Sequence, residues 1–425
     1  MKVVHVSYGD IIGGAARSAY RLHAGLRQAG VQSEMLVQRK VSADDSVRQL
    51  APNRTLSGRV QQKLWRLRRG KFADLHRPLG DKSLEVFSVD CDLSSASVIE
   101  HLVDADVVNL HWVSGMIGYK GIARLAREKP LVWTLHDMNP FTGGCHFDGG
   151  CGRFRHECGQ CPQLQSTSKS DESSDCLSRK QASLRSIDRE RMTIVAPSQW
   201  LAAQARESAL FSQYDTQVIP YGLDVAEFSP RDAQSIRPLL DIPKDARVIL
   251  FLADAVGNRR KGGDLVVEAL RLLKRTDIVV VAVGAGGRQM FSDCGLPVRC
   301  VDPIHDDRLL SLIYSAADLF CISSRADNLP NTVLEAMACG VPVVGFNVGG
   351  VPDLVVPAET GVLAKSVDAA ALASAIGEAL GDEQRLRRMR HNCRNLIVSK
   401  HGLEKQAEGY LRLYHSVRAR VLSKV

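Results

Sequence analysis

Short apolar runs rich in Val, Ile and Leu recur along the chain, each followed by a turn and then by a stretch whose apolar positions have helical spacing. Runs that stay apolar instead of alternating with polar residues predict parallel strands buried on both faces. One series covers 2–7, 32–37, 106–112, 131–135, 193–197 and 217–220. A second covers 247–253, 277–284, 298–301, 319–323 and 341–346. Helices are expected over 15–29, 118–128, 177–192, 200–210, 264–274 and 306–316, around Glu335, and over 368–380, 383–399 and 403–422. The segment 166–175, rich in Ser, Asp and Lys, reads as a mobile loop. Turn-rich residues at 221–230 separate the two series, so the α/β alternation runs twice. The expected division is 1–222, 223–400 and a terminal helical segment 401–425.

The length of 425 residues agrees, being too long for one ordinary core. No apolar run approaches the ~20 residues that span a bilayer. The start, MKVVHVSYGD, is a strand rather than a leader, and a cytoplasmic chain is expected. The net charge of +8 points to acidic partners such as nucleotide phosphates or an anionic membrane. Nucleic acid is the poorest of these, because the charge is dispersed except at 54–71. There Leu56, Val60, Leu64 and Leu67 make one apolar stripe beside Arg59, Lys63, Arg66, Arg68, Arg69 and Lys71. That pattern suits a helix packed on its domain, or one in peripheral contact with the anionic inner membrane, with Arg66, Arg68 and Arg69 facing membrane or acceptor.

Four stretches carry candidate chemistry. After the first strand, Gly9, Gly13 and Gly14 lead into a helix, an arrangement ready for an anion although not the dinucleotide spacing G-x-G-x-x-G. His136 and Asp137 follow the strand at 131–135, at the strand end where such sheets bind ligands. Asn258, Arg259, Arg260, Lys261, Gly262 and Gly263 precede a helix and make a stronger phosphate site. Asp327 lies in a loop after another strand, and Glu335 follows eight residues later on a helix.

A fifth stretch is a glycine-rich loop at 145–161. Cys145, Cys151, Cys158 and Cys161 are spaced C-x5-C-x6-C-x2-C, with His146 and His156 between them. Four thiols in such a loop suit a structural zinc; an iron–sulfur cluster, packing thiols and disulfides are the alternatives. Four thiolates would leave no open position for catalysis. The other seven of the eleven cysteines sit in apolar surroundings and read as buried thiols.

Taken together, the Gly13-Gly14 loop, His136, IPYGLDVAEFSP at 219–230, the RRKGG loop and LEAMACGVPVV at 334–344 resemble the retaining glycosyltransferases of family 4. The loop TLHD–PFTGGCH–CGQCPQL further resembles the branch that builds capsular, exopolysaccharide or colanic-acid-like polymers. The resemblance implies the GT-B fold: two Rossmann-like domains facing across a cleft, with the C-terminal helix crossing back to the first. It implies sugar transfer from a UDP- or GDP-sugar to a hydroxyl of a glycan or lipid-linked acceptor, without a catalytic metal or other cofactor. Glu335 would hold the ribose and Asp327 the donor sugar, with Asn328, Leu329 and Thr332 beside them. Lys261, Arg259 and Arg260 would meet the diphosphate, Gly13 and Gly14 would let backbone approach it, and His136 would touch sugar or acceptor. Asp327 stands where the family has a glutamate, and Ala255 where many relatives have an arginine. A nucleotide-sugar-binding protein without transfer activity, or a UDP-sugar epimerase on the same fold, are the alternatives.

Overall fold

A computed structural model of the chain describes residues 1–51, 86–90 and 94–423. The basic segment with Arg66, Arg68 and Arg69 lies outside them. The described residues divide into two compact units. The first contains Met1–Pro220 and Gln406–Val425, and the second Tyr221–Lys405.

The sheet of the first unit has seven strands in the order β3-β2-β1-β4-β5-β6-β7. These are β1 (Lys2–Gly9), β2 (Gln32–Arg39), β3 (Val47–Gln49), β4 (Val107–Leu110), β5 (Leu131–Thr134), β6 (Met192–Ala196) and β7 (Thr216–Val218). Every pairing is parallel. The central strands are apolar without alternation because helices cover both faces: Val3, Val4, Val6, Val107, Val108, Leu131 and Val132 have no exposed surface. The short edge strand β3 gave too few residues for a period-2 or apolar signal.

The sheet of the second unit has six strands in the order β10-β9-β8-β11-β12-β13, again all parallel. They are β8 (Arg247–Ala255), β9 (Ile278–Ala285), β10 (Val298–Val301), β11 (Leu319–Ile322), β12 (Val343–Phe346) and β13 (Gly361–Ala364). In both sheets the order reverses once, between β1 and β4 and between β8 and β11. Loops leaving the carboxyl ends of those strands splay apart and open a crevice.

One helix begins earlier than its sequence suggested. Residues 166–175 read as a loop, but the helix Glu172–Leu184 starts within them. Asp171 accepts from the amides of Ser173 and Ser174, and the Ser174 hydroxyl reaches back to Asp171, a reciprocal cap that the polar composition concealed. The same helix stops at Leu184 instead of continuing to residue 192, where Met192 already opens β6.

The helix Leu403–Leu422 brings its later residues into the first unit. Tyr410, Leu413, Tyr414 and Val417 pack with Val3, Leu22, Leu26, Val107, Val132 and Val195. Asn109 and Thr134 are polar residues in the middle of buried strands, and this helix explains them. Asn109 Nδ2 donates to the Tyr414 hydroxyl at 2.7 Å, and Thr134 Oγ1 donates to Asn109 Oδ1 at 2.9 Å. The Tyr410 hydroxyl lies 2.9 Å from Thr134 Oγ1 and supplies the remaining proton. Each buried polar group thus finds a partner, which spares the unit their desolvation cost. Among the described residues no helix is long and apolar enough to cross a membrane.

Candidate active site

At the reversal point of the second sheet, the loops after β8 and β11 are joined side chain to backbone. The first loop folds because Asn258 accepts from the Arg260 amide at 2.9 Å, setting up a tight turn over Arg259–Lys261. Gly262 then takes a left-handed conformation, φ 69°, before the helix Gly263–Leu272. A Cβ there would stand 2.0 Å from the carbonyl oxygen of Ser323, so only glycine lets the two loops come this close. Ser323 Oγ donates to the Lys261 carbonyl at 2.8 Å, and the Arg325 amide to the Arg260 carbonyl at 2.7 Å.

This closeness places Lys261 Nζ 2.6 Å from Asp327 Oδ2. Arg260 Nη1 lies 3.5 Å from the same oxygen and donates to the Ala326 carbonyl at 3.0 Å. Ser324 Oγ donates to Asp327 Oδ2 at 3.2 Å, and the Asn328 amide to Oδ1 at 3.0 Å. Burial pushes the Asp327 carboxyl up, but Lys261 and Arg260 outweigh it and hold it below the usual carboxylate range. Two cations and one anion leave an excess positive charge beside a helix N-terminus, suited to a phosphate.

The other residues expected at this site are placed differently from one another. Glu335 is 3 % exposed on the helix Asn331–Ala338, and its Oε2 accepts from the Tyr314 hydroxyl at 2.9 Å. The Asn328 amide is committed to Asp327, and the Leu329 side chain is buried in the apolar core of the unit. Thr332 is half-buried in the first helical turn, and Arg259 is exposed. Two residues of the constellation were not visible in the sequence. Tyr314 orients Glu335 from the helix Asp307–Ala316. Arg325 clamps the loop after β8: it donates to the Arg259 carbonyl at 2.6 Å and to both oxygens of Asp264, at 2.8 and 2.6 Å.

The first unit has its own crevice at the corresponding place. The loop after β1 is held by Asp10, which accepts from the amides of Ile11, Val41 and Ser42. Gly13 and Gly14 then lead into the helix Gly14–Gln28 and line a cavity of about 260 Å³ with Ser7, Tyr8, Arg39 and Trp112. Arg39, at the end of β2, adds a cation that the glycine pattern alone did not suggest.

His136 is half-buried beyond β5, and its Nε2 lies 3.0 Å from Nδ1 of His111, the residue after β4. Its neighbour Asp137 receives the Trp112 indole at 2.9 Å, the Asn139 amide at 2.9 Å, and His146 Nδ1 at 2.6 Å. Burial raises the Asp137 carboxyl, but His146 and these donors leave it below its ordinary value. His146 is therefore committed to Asp137, with Nε2 at 2.9 Å from Ser88 Oγ.

Cys145, Cys151, Cys158 and Cys161 are free thiols that line one cavity of about 30 Å³ with Phe87 and Phe154. The glycines of the loop permit the crowding. Among the described residues no three His, Cys, Asp or Glu side chains stand where they could hold a metal ion together. The four thiols thus share one pocket.

Comparison with known proteins gives two family matches that between them cover most of the chain. Residues 12–227 match the model for glycosyltransferase family 4. Residues 232–396 match the model for glycosyl transferases group 1. A D-inositol 3-phosphate glycosyltransferase from Xylanimonas cellulosilytica is 30 % identical over 335 residues, covering 73 % of this chain and 71 % of the relative. Among solved structures, sucrose-phosphate synthase from Thermosynechococcus elongatus is similar with a TM-score of 0.69 and 20 % identity, over 99 % of this chain and 100 % of its own. Anabaena HepE, solved in complex with UDP and glucose, gives a TM-score of 0.66 and 16 % identity, over 98 % and 100 % of the two chains.

Proposed function

The chain belongs to the family 4 glycosyltransferases, and from that premise we propose that it moves a sugar, with retention, from a UDP- or GDP-sugar to an acceptor hydroxyl. It is a glycosyltransferase with the GT-B fold, built from the two Rossmann-like units described above. What the proposal adds is the donor class, the stereochemistry and the acceptor, a glycan or lipid-linked saccharide used in cell-surface polysaccharide synthesis in the cytoplasm.

One observation carries the reading: Lys261, Arg260 and Asp327 meet where the second sheet reverses, with Glu335 on the next helix. In the proposed reaction the bond from the sugar's anomeric carbon to the diphosphate oxygen breaks. The acceptor oxygen bonds to the same face of that carbon, and its proton passes to the departing phosphate oxygen. Lys261 and Arg260 stabilise the charge that develops on the diphosphate, and being fixed in place they need little reorganisation. Asp327 holds Lys261 at short range and presents a carboxylate to donor-sugar hydroxyls. Glu335 accepts from the ribose hydroxyls, as a carboxylate with two oxygens can. Gly13, Gly14 and Arg39 offer a second anion-ready surface, and His136 contacts a saccharide hydroxyl.

HepE was solved with UDP and glucose, which supports a nucleotide-sugar donor. The relative named for D-inositol 3-phosphate favours a second acceptor class, a small phosphorylated polyol. A thermal-shift screen with UDP-, GDP- and ADP-sugars tests the donor, since a ligand of the folded state raises Tm. Transfer to lipid-linked saccharides and to inositol phosphate then separates the acceptors. A chain whose Tm no nucleotide sugar raises would not be this enzyme.

A further inference from the structure

Basic side chains also gather at the opposite end of the second unit's sheet. Arg247 is the first residue of β8 and Asp318 directly precedes β11, whereas Lys261 and Asp327 follow the carboxyl ends of the same two strands. By those amino ends lies a cavity of about 610 Å³, larger than the crevice of about 260 Å³ beside Gly13 and of a size usual for small-molecule sites. Arg237, Lys244, Arg387 and Arg390 line it, against Asp245, Asp318 and Glu383.

Two of these carboxylates are already satisfied. Asp318, 5 % exposed, accepts through Oδ2 from Arg237 Nη2 and from the Val248 amide, both at 2.8 Å, and through Oδ1 from Arg390 Nη2 at 2.7 Å. Glu383 accepts from Arg387 Nε at 3.0 Å and from Arg247 Nη2 at 2.6 Å. Arg237 also donates to the carbonyls of Ala316 and Ala246, so it is fixed as part of the cavity wall.

The other cations keep donors in reserve. Arg390 uses Nη2 alone, for Asp318 and the Ala317 carbonyl, and among the described residues its Nε and Nη1 make no hydrogen bond. Arg387 stands three residues earlier on the helix Glu383–Lys400, hence on the same face, and donates through Nε only. Lys244, in the turn before β8, has no partner for its ammonium among the described residues.

With Arg247 included, five basic side chains face three acidic ones, an excess of two positive charges. A cleft of plain ion pairs would balance; like charges left over in a concave place repel one another until an anion enters. Guanidinium forks match the oxygens of a phosphate. A phosphomonoester, at about −1.5 to −2 near pH 7, also matches the excess charge.

We propose that this cavity binds a phosphomonoester of about monosaccharide size, with its phosphate held by Lys244, Arg387 and Arg390 and its remainder against Ala233 and Pro238. The site is separate from the sugar-transfer centre proposed above and does not depend on what that centre does.

Calorimetric titration of the full chain with glucose 6-phosphate tests it. Saturable binding with Kd below about 1 mM is expected, with none for glucose, and inorganic phosphate should compete. Lys261→Met, which removes a cation from the transfer centre, should bind as wild type does. Lys244→Gln/Arg387→Gln should weaken binding at least about tenfold, having lost two charge-assisted hydrogen bonds. Both side chains are exposed and Glu383 keeps Arg247, so this variant should unfold at the wild-type urea concentration. Lys274→Gln/Lys365→Gln lowers the net charge equally at exposed lysines away from the cavity and should leave binding unchanged. No saturable binding by the wild type would overturn the proposal. So would binding lost in Lys261→Met but kept in Lys244→Gln/Arg387→Gln, which would put the ligand in the transfer centre. Equal weakening by the two glutamine pairs would overturn it as well, since the attraction would then be one of bulk charge.

Discussion

Lys261 Nζ and Asp327 Oδ2 are 2.6 Å apart, although 66 residues separate them along the chain. The pair ties the loop after β8 to the carboxylate loop after β11. It makes each residue's contribution depend on the other.

Removing Lys261 should therefore have two effects. The transition state loses a fixed cation, and kcat is expected to fall by roughly 10²–10³. Asp327, buried and left with the more distant Arg260, should also lower stability by about 1–3 kcal/mol. Steady-state kinetics and urea unfolding of Lys261→Met would show both. A variant that loses stability but not rate would place Lys261 outside the chemistry. Asp327→Glu, which restores the family's longer carboxylate, is expected to keep far more activity than Asp327→Ala.

Tyr314 holds Glu335 through one hydrogen bond at 2.9 Å. If Glu335 binds the ribose equally in ground and transition states, Tyr314→Phe should raise KM for the donor several-fold, roughly 3–10, and leave kcat nearly unchanged. An equal fall in kcat would show that the contact matters only during transfer.

Gly349 has φ 55°, and a Cβ there would come within 1.9 Å of the Asp327 carbonyl oxygen. The Gly350 amide donates to that same carbonyl at 3.1 Å. Gly349→Ala must displace Asp327 or strain the turn, and a loss of at least about 2 kcal/mol is expected from the backbone conformation and the collision together. Wild-type stability in a urea melt of the alanine variant would contradict this geometry.

Acid should weaken the first unit before it reaches the carboxylates. His23 and His136 titrate near 4 in the folded chain because they are buried, against about 6.5 when unfolded. Between those values the unfolded chain binds more protons, so stability rises with pH. The contribution is complete above about pH 6.5 and is lost as pH falls towards 4, by up to about 1.4 kcal/mol per histidine per pH unit. Urea midpoints at pH 7.5, 6 and 5 should show the decline, and His23→Gln should reduce it. A midpoint flat over that range would mean that these rings are not buried as neutral species. Asp327 and Asp137 act lower: their depressed folded values contribute stability above about pH 4, which is lost as pH falls further.

Much of this was legible in the residues. Unalternating apolar runs marked the parallel strands, and the glycines with Lys261 and Arg260 marked a helix N-terminus ready for phosphate. The positions of Asp327 and Glu335 after β11 also followed from local order. What was not legible is which of these groups meet. Lys261 and Asp327, Arg325 and Asp264, His5 and His111 are neighbours only because strands distant in sequence lie side by side. A strand pattern shows that a side chain leaves the carboxyl end, but not what leaves the next strand. The loop at 166–175 was misread for a different reason, since Ser and Asp favour caps and loops alike and only the reciprocal bonds of Asp171 and Ser174 tell them apart.

The first unit is assembled from two stretches of chain separated by the whole of Tyr221–Lys405. Asn109 and Thr134 await hydroxyls from Tyr414 and Tyr410, and Val3, Val107 and Val132 await the same helix. During synthesis, then, the part made first cannot close its core until the ribosome has passed about residue 417, whereas the second unit has all its strands by residue 364. The order of translation and the order of completion are opposite. A nascent chain that stops between Ile397, the last core residue of the second unit, and Val417 would leave the older half, not the newer one, exposing apolar sheet to chaperones and proteases.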